Sequence, residues 1–275
     1  MQTSSVVQNL DSHLAPNAFQ NAANICETIV LMRSLIAKKK VNIAFLGYTD
    51  LMLSAEAWKT LNIDQETLDN RQNSENLIKI HGRGDVQVVP TLTSALSSII
   101  GEQFELTIFD FTKYEGTEVE WDFNFPIPDE FRNKFDLVID AGTCEHIFNI
   151  AQALSNVQLM LSQGGIAYHG GPLCWPNHGF YGYNPTLFAD FYEANHCEIL
   201  EMFLLTNLIS PDGNRNRLTV SVPKYERFRM SELLKNHSEL LKLEYNLCTA
   251  VRKTKTGEQI VFPIQHKYRK KEDWM

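Results

Sequence analysis

Three of the chain's eight histidines, His146, His169 and His178, lie close together in sequence near segments that read as strand ends. The ordinary pKa of histidine lies near neutral pH, so each is a candidate to take a proton from a hydroxyl. His178 is the first choice as general base. It sits in 175-WPNHGFYGYNPT-186, a stretch of aromatic, amide and glycine residues whose flat faces and amide groups suit sugars or planar rings. The competing reading of that stretch is a well-packed covering loop, and that of His146 is a structural hydrogen bond within its own turn. Three carboxylates stand in comparable places. Asp110 ends 105-ELTIFD-110, Asp122 opens 122-DFNFPIP-128, and Asp140 lies inside the apolar run 135-FDLVIDAG-142. An ionised carboxylate accepts hydrogen bonds and donates none. Inside an apolar strand it also needs partners, so Asp140 is expected to have them.

The elements that would position these residues follow from periodicity. Residues 18–40 carry Phe19, Ala22, Cys26, Ile29 and Arg33 at helical spacing. The run 41-VNIAFLGY-48 reads as a buried strand, 51–60 as helical, and 59–90 as a polar insertion. A helix is expected at about 91–101, strands at 105–111 and 135–142, and a helix at about 147–162 ended by Gly164-Gly165. A strand at 166–170, a helix at 185–195 and a hairpin pairing 198–207 with 218–224 come next, with about 229–256 read as helical. Strands alternating with helices predict an α/β, Rossmann-like, doubly wound and mainly parallel sheet, with helices on both faces and an antiparallel C-terminal hairpin. The domain reading is a helical extension over 1–40, a sheet domain over 41–224, and a helical extension and tail over 225–275. Ligands bind such sheets at the carboxyl ends of the strands. That directs attention to Gly47–Asp50, Asp110–Thr112, Asp140–His146 and His169–Tyr183.

Those positions resemble the class I S-adenosylmethionine-dependent methyltransferases. The strongest match is 135-FDLVIDAGTCEHIFNIAQALSNVQLMLSQGGIAYHG-170. It has an FDLV strand, a turn ending in Glu145-His146, an amphipathic helix, and Leu161-Ser162-Gln163-Gly164-Gly165 before the next strand. The resemblance runs from about 41 to 207. It implies S-adenosylmethionine as cofactor, with Asp110 holding the ribose hydroxyls and Asp122 near the adenine. Gly47, Thr49, Asp50, Asp140 and Gly142 complete the implied cofactor site, and His178, His146 and His169 are the candidates for catalysis. The family's first turn, Asp/Glu-x-Gly-x-Gly-x-Gly, is reduced here to 45-FLGYTD-50, and Asp110 lies farther along than the family's spacing, with 59–90 as the intervening insertion. Thr49 and Asp50 could supply side-chain hydrogen bonds in place of the missing glycines, or cap the next helix. A weaker likeness of 177–199 to enzymes of surface glycans and specialised metabolites implies a small-molecule acceptor, a sugar or glycan precursor among the options. The alternative is an inactive methyltransferase-fold binding or scaffold protein.

Composition narrows the classes. The net charge is −8 and the sequence pI about 5.5, which disfavours a nucleic-acid partner. The basic cluster 267-KYRKK-271 reads as a solvated tail. No apolar run is long enough to span a bilayer, the N-terminal residues lack the pattern of a signal peptide, and five scattered cysteines form no CxxC pair. A cytoplasmic protein with reduced thiols is expected. Cys174, His178, His196 and Cys197 match no common zinc spacing, so no metal site is expected. A nicotinamide-dependent oxidoreductase is disfavoured because no GxGxxG follows 41–48.

Overall fold

The computed structural model describes residues 15–113, 116–209, 215–222, 244–257 and 259–269. Its centre is one eight-stranded sheet. The strands are β1 (Val41–Leu46), β2 (Phe104–Asp110), β3 (Val119–Glu120), β4 (Phe135–Asp140), β5 (Leu161–Pro172), β6 (Cys197–Ile209), β7 (Arg215–Ser221) and β8 (Asn246–Lys253). They lie in the order β3-β2-β1-β4-β5-β8-β6-β7. The first five pair in parallel, and β5–β8, β8–β6 and β6–β7 pair antiparallel. This is the Rossmann-like, mainly parallel sheet expected, with the hairpin at 198–207 and 218–221 in place.

Apolar side chains alternate between the two faces, as the strand period requires. Ile43 and Phe45 of β1 and Leu137 and Ile139 of β4 face one layer, with Cys26, Ile29 and Met32 of α2 (Ile25–Ser34), Trp58 of α3 (Ala55–Thr60) and Leu96 of α5 (Leu92–Ile100). Ala44, Leu46 and Val138 face the other, with Leu154 and Val157 of α6 (Ile150–Met160) and Phe188 and Tyr192 of α7 (Pro185–Ala194). Burial on both faces explains why these strands read as continuous apolar runs. The short helices α1 (Ala18–Asn21) and α4 (Ser74–Ile80) complete the α-helices of the described residues. No helix among those residues is long and apolar enough to cross a membrane.

Four expectations need correction. Residues 246–253, read as helical, form β8, wedged between β5 and β6. Leu247, Cys248, Thr249, Ala250 and Val251 are all buried, so the segment shows no alternation, and its strand state follows from two flanking partners. The sheet therefore extends past residue 224; residues 225–243 and 270–275 lie outside the described residues. The helix over 18–40 is interrupted. Ala22 is extended, and Asn24 caps α2 by accepting from the Glu27 amide. Far from being an appendage, α2 belongs to the core, and Glu201 of β6 accepts from the Phe19 and Gln20 amides. Finally, α6 ends at Met160, and Gly164-Gly165 lie within β5. A Cβ at Gly165 would meet the Phe135 and Ser162 carbonyl oxygens at 2.9 Å, so the glycine permits a close strand approach rather than a helix cap.

Candidate functional site

The chain builds β1, β2 and β3 outward in one direction, then returns to the other side of β1 for β4. This reversal leaves a crevice at the carboxyl ends of β1 and β4, the usual ligand position in such sheets. A cavity of about 420 Å³ opens there. Its lining brings together Gly47, Asp110, Asp122, Gly142 and His146, five of the residues singled out from the sequence. The volume lies in the range of small-molecule sites, roughly 300–1,000 Å³. Gly47 has φ +73°, and a Cβ there would meet Thr143 Oγ1 at 2.7 Å. That hydroxyl donates to the Leu46 carbonyl at 2.6 Å, tying the turn after β4 to the end of β1. Asp110 Oδ1 accepts from the Thr112 amide at 3.3 Å, and Asp122 Oδ1 from the Asn124 amide at 2.9 Å. Trp121 also lines the cavity, and its buried indole N–H has no partner. Two carboxylates in a cavity of this size, with an indole on its wall, fit a polar ligand.

Behind the cavity is a buried network centred on Asp140. Oδ1 accepts from the Thr143 and Cys144 amides at 2.9 and 3.1 Å. Oδ2 pairs with His169 Nδ1 at 2.7 Å and accepts from the Tyr183 hydroxyl at 2.8 Å. His169 Nε2 lies 2.5 Å from the Tyr192 hydroxyl. The two ring nitrogens of His169 thus bridge Asp140 and the Tyr192 hydroxyl. Burial alone would raise the Asp140 pKa. The His169 hydrogen bond and charge, with those from Thr143 and Tyr183, outweigh it and hold the carboxyl below its usual range.

Glu145 stands between network and cavity, on the single turn Cys144–His146. Its side chain is fully buried. Oε2 lies 3.1 Å from the Tyr183 hydroxyl, while Oε1 is buried with no hydrogen-bond partner. Oε1 lies 3.9 Å from His146 Nε2 and 3.7 Å from His178 Nε2. The covering loop is pinned onto this turn, since the Glu145 carbonyl accepts from the Phe180 amide at 2.9 Å. Gly179 makes that approach possible, because a Cβ there would sit 2.8 Å from the same carbonyl oxygen. Burial, then the Asp140 charge, raises the Glu145 pKa to about 7. Burial, then the neighbouring His178, lowers that of His146.

A pH dependence follows for Glu145. Its pKa in the fold exceeds the ordinary 4.5, so the fold favours the protonated form. That contribution is fully present below about pH 4.5 and is lost as pH rises through about 7. Thermal unfolding in metal-free buffer should show wild type losing stability relative to Glu145→Gln between those limits. Parallel pH profiles for the two proteins would contradict the assignment.

The remaining sequence candidates lie elsewhere. Thr49 and Asp50 do not line the cavity. Asp50 is ion-paired with the buried Arg71 of the insertion, whose guanidinium stacks 3.8 Å from the Tyr48 ring. Neither residue caps α3, which Ser54 does by accepting from the Ala57 amide. Asp140 and His169 are fully buried with their polar atoms engaged, so their place is in the supporting network rather than on a ligand. His178 does not line the cavity itself. It lies beside His146, ring centroids 5.1 Å apart, and His146 does line it. Glu145 and Tyr183 fell within the segments 140–146 and 169–183 picked out from the sequence but were given no role there, and Trp121 was not singled out. An acid beside a histidine in the turn after a strand was the available signal for Glu145.

No protein-family model and no curated protein matches this chain. Solved S-adenosylmethionine-dependent methyltransferases are among the structures it is similar to. A 1,6-didemethyltoxoflavin-N1-methyltransferase of Burkholderia thailandensis, solved with 1,6-didemethyltoxoflavin and S-adenosylhomocysteine bound, is 10% identical. The match covers 87% of this chain and 82% of that one, with a TM-score of 0.42. A SAM-dependent methyltransferase of Methanosarcina mazei is 8% identical over 81% of this chain and 96% of its own, at a TM-score of 0.36. The cyclase SpnF is 12% identical over 82% and 78%, at 0.37.

Proposed function

We propose that this protein transfers a methyl group from S-adenosylmethionine to a small molecule. The observation that carries the reading is the convergence of Gly47, Asp110, Asp122 and Gly142 on one cavity at the switch point of the sheet. Asp110, at the end of β2, would accept hydrogen bonds from the ribose hydroxyls. Asp122 and the Trp121 side chain would face the adenine end, and Gly47 and Gly142 would allow close backbone approach. The bound cofactor supplies an electrophilic methyl group on a sulfonium. The protein's part is to hold an acceptor in line with it and to remove the acceptor's proton. His146, on the cavity wall, and His178, beside it, are placed for that proton, with Glu145 behind both. His169 has no such access. Trp175, Phe180 and Tyr181 are exposed on the covering loop and would give an acceptor such as a sugar or a specialised metabolite a flat surface.

Titration calorimetry with S-adenosylmethionine and S-adenosylhomocysteine tests the proposal. Both should bind the wild-type protein, and Asp110→Ala should weaken each roughly 10–100-fold, because a hydrogen bond to a charged group contributes about 1.5–3 kcal/mol. Failure of both to bind at high micromolar concentration would overturn it. One observation favours a second reading, a binding or scaffold protein without turnover. The turn after β1 keeps a single glycine, and its two following polar residues, Thr49 and Asp50, lie off the cavity.

A further inference from the structure

We infer that Glu145, His146 and His178 form a binding site for a divalent transition-metal ion of the zinc type, set beside the cavity. The inference goes beyond the methyl-transfer reading and does not depend on it. One carboxylate and two imidazoles are a donor set that such ions take, leaving positions open for water or a substrate oxygen. Three ligand atoms, one from each residue, all lie within 4.8 Å of one another.

The spacing itself favours an ion. Glu145 Oε1 stands 3.9 Å from His146 Nε2 and 3.7 Å from His178 Nε2. Both gaps are too long for a hydrogen bond. They are also short for a bridging water, which would hold its two partners roughly 4.5 Å apart. A tetrahedral ion about 2.0–2.1 Å from each ligand separates them by roughly 3.3–3.4 Å, so the two carboxylate–imidazole gaps need to shorten by only roughly 0.3–0.6 Å, and the two imidazoles close on the ion from within 4.8 Å of each other. The second, independent observation is Oε1. It belongs to a fully buried side chain, points at both imidazoles and bonds to neither. Its companion oxygen lies 3.1 Å from the Tyr183 hydroxyl, whose single proton Glu145 and Asp140 share. The histidine side chains are 48% and 39% exposed, which leaves room for the rings to turn onto an ion. The other compact group, Asp140, Cys144 and His169, offers no such opening, because Asp140 and His169 already spend their polar atoms on each other and on Tyr183, Tyr192 and two amides. With an ion in place the two histidines act as ligands. An acceptor hydroxyl reaching an open position would then lose its proton more readily through the ion's charge.

The test is titration of the full-length, chelator-treated protein with Zn²⁺ by calorimetry and with Co²⁺ by visible absorption, without cofactor. Wild type should bind one ion per chain, with the intense visible band of low-coordinate Co²⁺. His178→Ala and His146→Ala remove exposed side chains and should keep the native circular dichroism. Each should weaken binding by more than the roughly 10–100-fold that losing a mere supporting partner causes. Glu145→Gln, checked for folding in the same way, should behave alike. Failure of wild type to bind one ion, or equal binding by wild type and His178→Ala, would overturn the site. Neither result would touch cofactor binding, which is measured separately.

Discussion

Asp140→Ala should destabilise the protein by about 3–5 kcal/mol, the cost of removing one partner from a buried charged network. The carboxylate meets four groups at 3.1 Å or less: the Thr143 and Cys144 amides, His169 Nδ1 and the Tyr183 hydroxyl. The two amides and His169 Nδ1 would lose this partner, Cys144 and His169 in buried surroundings, while Tyr183 is left with Glu145 Oε2 at 3.1 Å, and each buried group left unsatisfied costs about 1–3 kcal/mol before relaxation. At this chain length 1 kcal/mol shifts the melting temperature by roughly 2–4 °C, so a drop of about 6–20 °C is expected. Denaturant unfolding at neutral pH measures the free energy directly. A loss below about 1 kcal/mol would mean that the network is not what holds the turn after β4. Asp140→Asn should fall between the two, since its carbonyl oxygen still serves the two amides while its NH₂ group faces donors.

Gly47→Val should abolish cofactor binding under the proposed function. The backbone at Gly47 has φ +73°, where a β-branched residue is a genuine outlier. The left-handed region costs an L-residue about 1–2 kcal/mol. The first side-chain carbon would lie 2.7 Å from Thr143 Oγ1, so Thr143 must turn away and give up its bond to the Leu46 carbonyl. The added methyl groups would also crowd the cavity wall. Calorimetry should detect no binding of S-adenosylmethionine, while circular dichroism reports a folded, less stable protein. Wild-type affinity in a folded Gly47→Val protein would show that the ligand does not approach this turn.

The two substitutions also mark the border between what was legible in the residues and what was not. Buried strands β1, β2 and β4 stand out as apolar runs between turn signals, and the alternation with helices implies a parallel sheet. Such a sheet places its ligand at the carboxyl ends of its strands, so Gly47, Asp110 and Gly142 could be picked out without coordinates. The strand β8 was hidden, because a segment covered on both faces and on both edges carries no period. Asp140 was legible as a carboxylate in need of partners. The partners themselves were not, since His169 and Tyr183 come from β5 and the covering loop, 29 and 43 residues along the chain.

By itself, then, the sequence determined the layered α/β sheet and the strand ends at which chemistry could occur, because periodicity and turn residues act locally. Only the tertiary structure decided what each polar group does there. It sank Asp140 and His169 into the support, sent Asp50 to Arg71, and set Glu145 between two imidazoles from different segments. Hydrogen bonds, ion pairs and metal ligation act over a few ångströms, and such distances between segments far apart in the chain are set only when the sheet and its loops pack.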